Sequence, residues 1–185
     1  LAVYRAIGIS PEKRHSYGML NHCLRGLVTG TDNLLDDEYK EMLPLNFPQP
    51  AIRFKSVMHI LLFDRFIVRI TSAMEKQNLL HNIDAAQLQQ KLFAALVPIG
   101  AEEAQEEGGV RTILPPEQIL STVHMYKGGK LLCLAFVAPL LVESTCRREL
   151  LFAEQGIYSI GIALQLIDDL TDFYEDISHA NHNYL

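Results

Sequence analysis

The chain has 185 residues, 49% hydrophobic and 21% charged, with a formal net charge of −6. That balance suits one folded domain over residues 1–185, excludes a disordered chain, and offers no basic face for nucleic acid. The one short basic run, Lys13-Arg14-His15, reads as a solvated helix start. Three widely spaced cysteines (Cys23, Cys133, Cys146) form no CxxC pair. This excludes a zinc knuckle or a disulfide framework, and we expect Cys133 and Cys146 to be buried free thiols in a reducing, cytoplasmic setting. The opening LAVYRAIGIS lacks the basic flank and long apolar core of a signal peptide.

Ser10-Pro11-Glu12 combines a cap, a first-turn proline and an acid, and starts a helix expected to run to about residue 43. Three prolines at 44–50 break it. A long helix is predicted over 51–79, then a turn with Asp84 as cap, then a helix over about 85–107 kinked near Pro98 and Gly100. Pro115-Pro116-Glu117 starts the next helix, which Gly128-Gly129 break or bend. Leu131–Val142 is the most apolar stretch; at 12 residues and with Pro139 it is shorter than the about 20 residues of a membrane span, so we expect a core helix and no span. The last helix is predicted from about Arg147 to Ile177. No strand-period segment stands out, so the fold class is all-α with five or six helices.

Two acidic constellations carry the chemistry. In Thr31-Asp32-Asn33-Leu34-Leu35-Asp36-Asp37-Glu38, Asp32 and Asp36 share a helix face, a repulsive pairing of a few tenths of a kcal/mol. A bridging divalent cation turns that cost into a gain, and magnesium prefers carboxylates together with substrate phosphates. An acidic solvated face is the competing reading. In the second constellation an apolar helix, GIALQLI, runs into Asp168-Asp169, with Asp172 one turn on. Acids at a helix C-terminus oppose its dipole, which weighs against a merely solvated end. Gln165 lies one turn before Asp168. GxSxG, HExxH, a Walker A loop and the di-iron ExxH pair are all missing.

Asp32-Asn33-Leu34-Leu35-Asp36 and Asp168-Asp169-Leu170-Thr171-Asp172 resemble the paired DDxxD motifs of the trans-isoprenyl diphosphate synthase (polyprenyl synthetase) family. GIALQLIDD resembles that family's Q-x-x-D-D run, and Met125-Tyr126-Lys127-Gly128-Gly129 its Lys-Thr-Gly segment. Ala104-Gln105 is similar to its Gly-Gln segment. The resemblance covers about residues 20–178 and implies a single helical bundle of the isoprenoid synthase type, incomplete at both ends relative to the family. It implies Mg2+, as three ions with bound diphosphate, on Asp32, Asp36, Asp37, Asp168, Asp169 and Asp172. Asp32, Asp36, Asp168 and Lys127 would be catalytic. Lys127, Gln165 and Gln105 would bind substrate, with Leu27 and Val28 controlling product length. The implied reaction condenses an allylic prenyl diphosphate with isopentenyl diphosphate in a homodimer. Asn33 replaces an acid, and Glu38-Tyr39-Lys40-Glu41 stands where the family has Arg-Arg-Gly. Those departures keep open a terpene cyclase, a head-to-head synthase resembling the squalene/phytoene group, and a non-catalytic subunit.

Overall fold

The structure is a computed structural model that describes residues 1–35, 39–47, 51–106 and 109–185; among these every regular element is helical. Helix α1 (Ala2–Ala6) leads into α2 (Pro11–Leu35) and α3 (Ile52–Lys76). Then come α4 (Ala85–Glu103), the short α5 (Pro116–Ser121), a π-helical segment (Met125–Lys130), α6 (Leu131–Val142) and α7 (Arg147–His179).

Helix starts follow the sequence signals. The Lys13 amide donates to Ser10 Oγ at 3.4 Å. Asp84 and Gln87 form a reciprocal capping box, with the Gln87 amide on Asp84 Oδ1 at 2.7 Å. Pro116 occupies the first position of α5, where a missing N–H removes no bond. One boundary differs: α2 was expected to continue to about residue 43, yet residues 39–47 are not helical. The buried Asn33 side chain explains part of this. It donates to the Lys40 carbonyl at 3.1 Å and accepts from the Lys40 amide at 2.8 Å, tying non-helical Lys40 to the last turn of α2. Helix α4 runs through Pro98 to Glu103.

The principal packing is α2 on α3, α4 against α3 and α6, and α7 against the π-helical segment and α6. Tyr17, Leu20, Phe63, Met74, Leu88 and Leu150 are fully buried between them. Gly26 and Gly30 let α3 approach: a methyl group at Gly26 would collide with the Phe63 ring, and one at Gly30 with Ile60. A polar tie crosses the core, where Tyr17 donates to Glu143 Oε1 at 2.7 Å and Lys13 reaches Oε2 at 3.1 Å. Burial first, then the Glu143 carboxylate, push the Tyr17 hydroxyl far above its ordinary range. Cys23 and Cys133 are buried free thiols, each pushed up to about 11, largely by burial; Cys146 is half-buried.

Helix α7 has two characters. Leu150, Gly161 and Asp169 face inward, whereas Ile160, Ile167, Leu170, Tyr174 and Ile177 are exposed. By length and composition, Pro116–Val142 and Arg147–His179 are each apolar enough to cross a membrane. In this fold 44% of the most apolar window of the first is buried inside the protein, against 11% for the second.

Gly26→Ala forces the Phe63 ring out of its place between α2 and α3. We expect a loss of about 1–3 kcal/mol, the range for overpacking a core, read as a lower urea midpoint with an unchanged slope. An unchanged midpoint contradicts this packing.

Candidate functional site

The site is built where the π-helical segment crosses α7. Gly128 and Gly161 lie backbone to backbone: a Cβ on either would fall closer to the other's carbonyl than real Cβ atoms come. A Cβ on Gly129 would enter the Tyr158 ring. Widening one helical turn to π geometry shifts the residues within it, and such turns occur often at functional sites. Lys127 sits in that turn, beside the stretch of α7 that carries Gln165 and Asp168.

A cavity of about 240 Å³ opens there. Asp32 and Thr31 line it from α2, Glu103 from α4, Lys127 from the π-helical segment, and Gln165 and Asp168 from α7. Lys40, whose backbone Asn33 holds, joins them. Leu27, Val28, Leu96, Ile99 and Leu131 supply the apolar wall. Two more apolar cavities adjoin this one. One of about 340 Å³ shares Leu27 and Leu96 with it, and one of about 420 Å³ shares Val28, Asp32 and Leu131.

The sequence-predicted residues therefore divide. Asp32, Lys127, Gln165, Asp168, Leu27 and Val28 meet at one cavity although they lie far apart along the chain. Asp169, Asp172 and Gln105 do not line it. Asp169 is turned inward and buried, 2.9 Å from His124 Nε2 and accepting the Tyr184 amide at 2.8 Å. Adjacent helical residues point about 100° apart, so Asp168 and Asp169 serve different surroundings. Asp172 is exposed on α7. Gln105 is exposed and donates to Glu102 Oε2 at 3.1 Å. Asp36 and Asp37 lie outside the described residues.

Electrostatics set the resting state of the pair that matters most. Burial works against the Lys127 charge, but the carboxylates of Glu103 (3.2 Å) and Glu106 outweigh it and hold the ammonium above the ordinary lysine range. Asp168 is raised above the ordinary carboxylate range, by desolvation first and then by Asp172, Asp169 and Asp176. A 3.2 Å hydrogen bond from Gln165 opposes that rise. Glu103, Glu106, His124 and Lys40 were not singled out from the sequence as site residues. The readable signal was spacing, since Glu103 and Glu106 lie three residues apart, as do His124 and Lys127, although α4 itself ends at Glu103.

Among the described residues no group of three His, Cys, Asp or Glu side chains is arranged to hold a metal ion. The donor set still fits magnesium, which takes one or two protein carboxylates and completes its shell with water and phosphate oxygens. Asp32 and Asp168 at one cavity meet that requirement. No family model matches the chain, and neither a curated protein nor a solved structure is significantly similar to it.

A raised folded-state value for Asp168 means that the fold favours its protonated form. That contribution is complete below the ordinary carboxylate range and is lost as pH rises through the raised value. Asp168→Asn should therefore raise the melting temperature of metal-free protein at pH 7, and the gain should shrink as pH falls toward 3. A gain of equal size at both pH values contradicts the assignment.

Proposed function

We propose that the chain is a bundle of the isoprenoid synthase type and acts as a Mg2+-dependent prenyltransferase on allylic isoprenoid diphosphates. The observation that carries the reading is the single cavity with Asp32, Lys127, Gln165 and Asp168 at its polar side and an apolar wall. A diphosphate needs cationic partners and an isoprenoid tail needs apolar walls, and these groups supply both over a short distance. The adjoining cavities along Leu24, Leu27, Ile67 and Leu92, and along Leu24, Val28 and Leu134, offer further apolar room for the hydrocarbon.

In this reading Lys127 binds an oxygen of the diphosphate leaving group in exchange for Glu106, and Gln165 steadies Asp168. Asp32 and Asp168 would hold Mg2+, which supplies charge neutralisation to the departing diphosphate. Leu27, Val28, Leu96 and Leu131 orient the prenyl chain and exclude water from the allylic carbon. The carbon–oxygen bond to diphosphate breaks, the isopentenyl double bond attacks the allylic carbon, and a proton is lost to the released diphosphate.

One observation favours a second reading, in which only the allylic diphosphate is taken. Among the described residues the cations lining this cavity are Lys40 and Lys127, with Arg25 in the adjoining one, and Lys127 already faces two carboxylates. That leaves little cationic capacity for a second diphosphate. A cyclase or a head-to-head synthase needs no isopentenyl diphosphate.

The test is diphosphate release with Mg2+ and geranyl or farnesyl diphosphate, with and without isopentenyl diphosphate. Release that requires both, with a longer prenyl diphosphate formed, is the expected result. Lys127→Met should lower turnover about 10²-fold, the scale for losing one preorganised electrostatic contact, and Asp168→Ala at least as much. Release from the allylic substrate alone moves the protein to the second reading. No release from intact, folded protein contradicts both.

A further inference from the structure

Glu106 stands between two partners. Its Oε2 accepts from Lys127 Nζ, and its Oε1 accepts from His182, with Nδ1 at 2.7 Å and the backbone amide at 3.3 Å. The Glu106 and His182 side chains are each only 9% exposed. His182 Nε2 is buried without a partner, so Glu106 is the ring's anchor among the described residues.

His182 belongs to the segment that follows α7, and that segment is tied down like a strap. The Val110 amide donates to the Ala180 carbonyl at 2.8 Å. Asn183 Nδ2 donates to the Asp169 carbonyl at 2.7 Å and to Asp176 at 2.8 Å. The Tyr184 amide donates to Asp169 Oδ2 at 2.8 Å, the oxygen that also meets His124. Residues 180–185 thus bind the last turns of α7 to the chain beyond α4 and to the element leading into Lys127.

A carboxylate has one negative charge to share. The donors of His182 at Oε1 and the ammonium at Oε2 compete for that single charge, so hydrogen bonds at Oε1 weaken the pull of Oε2 on Lys127. Glu103 is the other acid on Lys127, at 3.2 Å. We propose that His182 is a positioning residue for the anion site, acting through Glu106: the docked strap loosens the Glu106–Lys127 pair and makes the ammonium available to a diphosphate oxygen. The inference rests on reading Lys127 as the diphosphate ligand. Because coupling is reciprocal, a group that removes Lys127 from Glu106 tightens the strap.

Two readouts test it. Calorimetric titration with inorganic diphosphate and Mg2+ should show about 5-fold weaker binding for His182→Ala, the low end of typical couplings between sites. His182→Asn, whose amide can donate in place of Nδ1, should restore affinity. Glu106→Gln should tighten binding and abolish the effect of a superimposed His182→Ala. Separately, hydrogen exchange at the Tyr184 amide should slow in Lys127→Met, with no ligand present. The proposal is overturned if His182→Ala has the same effect with and without Glu106→Gln, if it has none in folded protein, or if Lys127→Met leaves Tyr184 exchange unchanged. Should the parent protein bind no diphosphate, the reading of the site fails, and the exchange experiment alone decides the coupling.

Discussion

The close crossing of Gly128 and Gly161 is the constraint on which the site depends. Two backbones can approach this closely only where neither carries a side chain. The approach sets the π-helical turn directly against α7, so that Lys127 faces the polar end of that helix rather than solvent. Leu131 begins α6 immediately after the turn and closes the apolar side of the same cavity. A methyl group at either glycine would push the lysine away from Gln165 and Asp168, because the nearest atoms it meets are main chain and have no rotamer by which to yield.

Charge around that crossing is partnered unevenly. Lys127 rests on Glu103 and Glu106. Asp168 carries the repulsion of its acidic neighbours, which raises its proton affinity and makes a cation or a cation-bearing ligand welcome. Asp169 is the counterexample one residue away. Buried against His124 and the strap, it holds the end of α7 in place. Breaking such a buried pair from one side strips a charge of its partner, which costs more than an intact pair contributes. Loss of activity on changing Asp169 would therefore be no measure of metal binding.

Much of this was legible in the sequence, for identifiable reasons. Helix starts announced themselves because Ser10, Asp84 and Pro116 each satisfy or remove orphan amides locally. The meeting of Asp32, Lys127, Gln165 and Asp168 agreed with the spacing of the two acidic runs, although only the fold brings them to one cavity. What escaped was tertiary. Asn33 looked like a defective acid, but its amide serves both backbone groups of Lys40, a bond an aspartate could make on only one side. Nothing in the sequence pairs His124 with Asp169 or His182 with Glu106, because the partners of each pair lie on different elements. Glu103 and Glu106 were passed over in favour of Gln105, which lies between them and is exposed.

The most direct test of the central claim is a structure determined with Mg2+ and an unreactive thio-analogue of an allylic diphosphate. The account predicts the diphosphate at Lys127, with metal bridging it to Asp32 and Asp168 and the prenyl tail running past Leu27 and Val28. A diphosphate bound elsewhere, or bound with Lys127 still held by Glu103 and Glu106, contradicts it.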